Sequence, residues 1–241
     1  MQQEEGRLPV SYDVSGWSPP PVPSGATLTG RYCRLEKLDA QTHGPALFDA
    51  NALDTSGAGW TYLPYGPFET LQEYMGWLEA QARSSDPLFY VIMDTSKQEG
   101  KPVGLLSYLR ITPSAGGIEI GHVRFSPLAQ RTTLATEAFH LMMRHAFDLG
   151  YRRLEWKCDA LNAPSRAAAQ RLGLSFEGIF RQHTVYKGRN RDTAWYAAID
   201  KEWSMISEAL ETWLQPSNFD EVGAQRQRLS ELTRPLLKNI C

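Results

Sequence analysis

Residues 118–178 read IEIGHVRFSPLAQRTTLATEAFHLMMRHAFDLGYRRLEWKCDALNAPSRAAAQRLGLSFEG. Ile118–Phe125 reads as a strand, and a short polar loop follows it. Leu134, Ala138, Leu141, Met142, His145 and Leu149 then recur on one helical face, with Gly150 as the C-terminal stop. Arg153–Asp159 is a further strand. Asn162 caps a helix running to Leu172, Pro164 occupies its tolerated first turn, and Gly173 ends it. The loop before Leu134 carries the chemical interest, because a helix start exposes unpaired backbone N–H groups that favour anions. In Gln130–Ala138 those amides can converge on a phosphate while Arg131 adds charge, although every helix has such an end.

Outward from this block, Leu28–Leu38 fits a first strand, and Asp39 offers an N-cap for a helix over Thr42–Leu53. A loop holding Trp60, Tyr62, Tyr65 and Phe68 leads to Leu71–Ala82, where apolar residues recur at helical spacing. Phe89–Asp94 and Val103–Ile111 read as strands that join Ile118–Phe125 in an antiparallel meander. On the C-terminal side, Ser175–Tyr186 and Thr193–Asp200 flank the turn at Lys187–Asn190, and Asp200 caps a helix through Leu214. Seven strands result, in the order βααβββαβαββ. Residues 9–25, with Pro19-Pro20-Pro21 and Pro23, cannot be helical, and residues 1–26 form an extended leader, either a ligand for a proline-binding domain or a strap on the body. Residues 27–200 form the main domain and 201–241 a helical extension.

Composition excludes several classes. A chain of 241 residues that is 42% hydrophobic can fill one sizeable core. A net charge of −2 gives no reason to expect a nucleic-acid partner, and the basic Lys187–Arg191 turn suits a solvated hairpin tip. The start lacks a signal-peptide pattern, and no apolar window reaches membrane-span length, so a cytoplasmic location without a membrane partner is expected. Cys33, Cys158 and Cys241 are odd in number and lack zinc or disulfide-framework spacing, so no metal is expected.

The run Gln130-Arg131-Thr132-Thr133-Leu134-Ala135 resembles the acetyl-CoA loop of the GNAT superfamily, with Gln130, Thr133 and Ala135 in its patterned places. Thr133 stands where the family usually has glycine, so a Cβ limits backbone approach while a hydroxyl offers a hydrogen bond of its own. Asn162-Ala163-Pro164-Ser165 with Arg171-Leu172-Gly173-Leu174 resembles a second family segment. Ser175-Phe176-Glu177-Gly178 with Gly188 and Asp192 is similar to the RimJ/RimL branch, which acetylates ribosomal-protein N-termini. The resemblance implies an α/β (α+β) GNAT fold, a mixed central sheet of about seven strands with flanking helices, plus the leader and tail.

It further implies an acetyl-CoA-dependent N-acetyltransferase acting on a primary amine of a small molecule, a peptide or a protein N-terminus; the other reading is a catalytically weakened acyl-CoA-binding sensor or scaffold. A homodimer is left open. Strands 118–125 and 153–159 would splay apart around the pantetheine, with Val123 and Phe125 along one wall. Gln130, Arg131, Thr132, Thr133, Leu134, Ala135, Thr136, Asn162 and Arg166 would hold the rest of the cosubstrate. Glu119 is the first candidate for general base and His122 the second, and strand alternation points them to opposite faces. Glu119 can equally be a carboxylate paired with a basic neighbour. Ser165 is the candidate acid or thiolate stabiliser, or a plain helix-start serine. Trp60, Tyr62, Tyr65, Glu177 and Tyr186 are candidate acceptor-side residues, with core packing equally open for the aromatic ones.

Overall fold

The computed structural model describes residues 8–96 and 100–240, so Cys241 and the first residues of the leader lie outside the described part. Eight strands form one sheet: β1 (Leu28–Thr29), β2 (Cys33–Lys37), β3 (Leu88–Asp94), β4 (Lys101–Thr112), β5 (Gly117–Phe125), β6 (Arg153–Asp159), β7 (Ser175–Tyr186) and β8 (Arg189–Ile199). Their spatial order is β1-β2-β3-β4-β5-β6-β8-β7. Every pairing is antiparallel except β5 with β6.

The eighth strand comes from the segment 28–38, expected as one strand and found as two. Leu28 pairs with Leu35 across a turn at residues 30–32. That turn is held from a distance. Glu137, buried on the helix α3 (Thr133–Asp148), accepts the amides of Arg31 (2.8 Å), Tyr32 (2.6 Å) and Cys33 (2.8 Å). Gly30 lies against this carboxylate so closely that an added Cβ would stand 2.3 Å from Oε2.

The helices α1 (Ala40–Ala52) and α2 (Leu71–Ala82) cover one face over an aromatic-rich core of Trp60, Tyr74 and Phe89. Asp39 caps α1 through the Thr42 amide (2.7 Å), as expected, and Thr70 with Glu73 forms a capping box on α2. On the other face lie α3, α4 (Ala163–Arg171) and α5 (Asp200–Leu214), with Phe147 stacked on Trp203 between α3 and α5. Asp200 is the first helical residue rather than the cap, and its carboxylate accepts the Lys201 amide (2.8 Å).

Described parts of both the leader and the C-terminal extension pack on the body. Tyr12 accepts from Arg152 (3.0 Å) and lies 3.8 Å from Lys201 Nζ, and Tyr151 donates to the Pro21 carbonyl (3.2 Å). At the other end α6 (Leu229–Thr233) buries Leu229, and Thr233 donates to the Arg171 carbonyl (3.1 Å). No helix among the described residues is long and apolar enough to cross a membrane.

Candidate active site

The parallel pair β5/β6 hydrogen-bonds only at Gly117–Glu119 against Arg153–Glu155. Beyond Glu119 the two strands part, β5 staying with β4 and β6 with β8. The remainder of β5 therefore presents an open main-chain edge toward a cleft of about 630 Å³. Val123, Phe125, Gln130, Asn162 and Ser165 line this cleft.

Glu119 and His122 both border the cleft, whereas strict alternation separates them. The reason is a bulge. The β4/β5 register shifts between Leu105↔Arg124 and Ser107↔Gly121, and His122 adopts a left-handed φ of 51°. Such backbone costs roughly 1–2 kcal/mol in a non-glycine residue. Arg110, at φ 49°, is set in the same way on β4, where the Asp86 carboxylate accepts its amide and that of Ile111 (2.8 and 3.1 Å). With Arg131 at φ 59°, left-handed residues concentrate around the cleft and the loop beside it.

Glu119 is buried, and its Oε2 meets both Arg110 Nη1 (2.8 Å) and Lys157 Nζ (2.9 Å). Pairing with basic neighbours is thus real, and Oε1 carries none of these contacts. His122 stacks on Tyr65, whose hydroxyl lies 3.1 Å from Nδ1, and packs against Phe89. Burial first, then the charges of Arg110 and Arg191, push its pKa down from 6.5 to about 4, so the imidazole is neutral at physiological pH.

A stability prediction follows from that shift. The unfolded chain takes up the proton near pH 6.5 and the folded one only near 4, so stability is lost as pH falls through this window, by roughly 3 kcal/mol. His122→Asn, which keeps an acceptor and tolerates the left-handed backbone, should flatten the pH 6.5–4 part of the stability curve by that amount. Parallel curves for the two proteins in urea titrations would refute it.

Ser165 stands in the first turn of α4, its amide donating to the Asn162 cap (3.1 Å). Its Oγ accepts from the Trp156 indole (2.9 Å). The acceptor role at Oγ being filled, the proton points away from Trp156.

The helix start of α3 is more occupied than the sequence suggests. Thr132 is its N-cap, donating to the Ala129 carbonyl (2.7 Å) and accepting the Ala135 amide (3.2 Å). The Thr136 hydroxyl accepts from Arg171 (3.1 Å). Thr133 and Leu134 remain as first-turn amides without an intrahelical acceptor, next to Arg131. Gln130 is turned to the Phe125 carbonyl (3.1 Å), and Arg166 donates to the Ala160 carbonyl (3.0 Å) and to Tyr196 (3.3 Å).

The acceptor-side candidates separate. Tyr62 lines the cleft and spans it, donating to the Leu161 carbonyl (3.1 Å). Trp60 and Tyr65 instead back it: the Trp60 ring lies 4.6 Å from the guanidinium of the buried Arg124, and Tyr65 supports His122. Tyr186 donates to the lining residue Asp159 (2.9 Å). Glu177 is not among the cleft residues, because Arg153 holds both its oxygens (2.7 and 2.5 Å) near the sheet edge. Arg110, Arg124 and Lys157 border the cleft without having been singled out in the sequence, and Arg191, read there as part of a solvated hairpin tip, lies half-buried on the cleft wall instead. Among the described residues no group of three or more His, Cys, Asp or Glu could hold a metal ion.

Residues 34–175 match the family described as the acetyltransferase (GNAT) domain, which makes the chain an acetyltransferase by class. A GCN5-related N-acetyltransferase from Brucella melitensis is 45% identical at a TM-score of 0.89, over 92% of this chain and 100% of that one. A GNAT-family structure from Chromobacterium violaceum is 43% identical at 0.75, over 82% and 98%. The chain belongs to the GNAT superfamily of N-acetyltransferases. RimL, the ribosomal L7/L12 alpha-N-protein acetyltransferase, shares the fold at 22% identity and a TM-score of 0.61, over 72% and 94%. No curated protein matches.

Proposed function

We propose that the protein transfers the acetyl group of acetyl-CoA to a primary amine by direct attack within a ternary complex, the amine belonging to a small molecule, a peptide or a protein N-terminus as in the RimJ/RimL branch. The observation that carries this reading is the parting of β5 from β6 beyond Glu119, which opens a main-chain edge beside Glu119, His122 and Ser165. The residues present fit the cosubstrate. The β5 edge offers hydrogen-bonding groups to pantetheine amides, and the Thr133 and Leu134 amides with Arg131 suit a pyrophosphate. When bound, acetyl-CoA supplies the activated acyl group.

Within this reading Glu119 takes the amine's proton through Oε1 or a water, while Arg110 and Lys157 fix the carboxylate through Oε2. Neutral His122 is the second group able to accept a proton there. Ser165, with Oγ already accepting from Trp156, donates its hydrogen toward the leaving sulfur. Ser165→Ala should lower kcat roughly 10- to 100-fold, the cost of one charge-assisted hydrogen bond, and leave CoA affinity within threefold. The test is acetyl-CoA consumption against amines and peptides with CoA binding measured alongside. Thermal stabilisation by CoA without consumption across a broad panel would sink the transferase reading.

A further inference from the structure

The charges around the cleft do not cancel. Asp54 is held by Arg124 (3.2 Å) and the Gly59 amide (2.9 Å), and Glu119 by Arg110 and Lys157. Asp159 accepts from Tyr186 (2.9 Å) and from the Leu161 amide (2.8 Å). Each cleft carboxylate is therefore already engaged. One cation is left over. Arg191 on β8 lines the cleft half-buried, with its Nε donating to Thr193 Oγ1 (3.1 Å) and its guanidinium 5.9 Å from the Tyr186 ring. Among the described residues its two terminal nitrogens meet no acceptor. Those nitrogens stay open to solvent in the cleft, and the planar fork of a guanidinium matches a carboxylate.

The placement of this arginine gives it a function. It is anchored through Nε, so the terminal nitrogens are held in one direction rather than waving in solvent. Its field and that of Arg110, from the opposite wall, both reach His122. The amine-accepting end of the cleft thus carries surplus positive charge. That is a poor environment for a plain polycation and a good one for an amine with a negative neighbour.

We propose that the acceptor is an amino-carboxylate, an amine whose nearby carboxylate is gripped by the terminal nitrogens of Arg191 while the nitrogen is presented at Glu119. Free amino acids and peptides with an acidic first residue share this chemistry. The identity of the transferred group rests on the acetyl-transfer reading; the carboxylate contact does not.

The experiment uses acceptor pairs that differ only in carboxylate against carboxamide: alanine with alaninamide, and tripeptides beginning with Asp or Asn. The full chain should favour the acidic member of each pair in kcat/KM by roughly ten- to a hundredfold. Arg191→Gln should bring the acidic member down to its carboxamide partner, with CoA affinity kept within threefold. Calorimetry of the N-acetylated Asp and Asn tripeptides binding to the CoA complex reads the same preference without turnover. A binding preference lost in Arg191→Gln, with no acetyl-CoA consumed by any acceptor, supports the carboxylate site and refutes acetyl transfer. Turnover without a preference within either pair overturns the carboxylate site and leaves acetyl transfer standing. A fall in CoA affinity in Arg191→Gln as large as the fall in acceptor kcat/KM also overturns it, by assigning Arg191 to a coenzyme phosphate. If the tripeptide pair discriminates and the alanine pair does not, the inference holds for peptides.

Discussion

Glu137→Ala is expected to destabilise the protein by about 3–5 kcal/mol. The carboxylate is 6% exposed and accepts three consecutive amides from the β1–β2 turn, more than a hundred positions away in the chain. A hydrogen bond to a charged group contributes roughly 1.5–3 kcal/mol. The three share one acceptor and do not add fully, and removing it strands the amide of the buried Cys33 most severely. Glu137→Gln keeps one carbonyl acceptor and should lose about half as much. Gly30→Ala tests the same contact from the other side, because its Cβ would meet Oε2 at 2.3 Å and must push the carboxylate out without removing its charge. In urea titrations the midpoints should fall in the order Gln before Ala, with an unchanged slope. A loss under 1 kcal/mol for Glu137→Ala would mean that water replaces the carboxylate and that the turn stands on its own.

That contact marks how far the sequence was legible. Periodicity located the helices because an amphipathic face needs only local spacing: the stripe from Leu134 to Leu149 and the caps at Asp39 and Asn162 are where the residues alone place them. The break of the first strand at residues 30–32 depends on Glu137, a partner too distant for any local pattern to report. The same holds for the site. Alternation along β5 misplaced Glu119 against His122 because a bulge inserts one residue, and no residue type in Gly121-His122-Val123 announces it. Asn162 and Ser165 stood out since both act within one helical turn. Arg110, Lys157 and Arg191 come from three different strands, and only the order β4-β5-β6-β8 brings them to one cleft. Glu177 shows the reverse error: a carboxylate in a family-like segment that is committed to Arg153 instead.

Replacing Glu119 should have the largest effect on turnover. Removing a positioned general base lowers rate by roughly 10²- to 10⁴-fold, so Glu119→Gln is expected to fall in that range in kcat/KM with CoA affinity within threefold. The variant should fold, since neither cation is abandoned. Lys157, 6% exposed, keeps Glu155 Oε2 at 2.7 Å and the Trp195 ring at 3.9 Å, while Arg110 is 56% exposed and stays hydrated. The carboxamide still presents an oxygen to both. The stability loss should therefore stay near 1–2 kcal/mol rather than the roughly 3–5 kcal/mol of a fully stranded buried charge. A purely electrostatic brace would also slow the enzyme, and chemical rescue separates the two roles. In Glu119→Ala, added formate should restore turnover in proportion to its concentration if a carboxylate oxygen takes the amine's proton. Formate without effect, together with a Glu119→Gln rate within threefold of the parent, would move the base to His122, where His122→Asn would then carry the 10²- to 10⁴-fold loss.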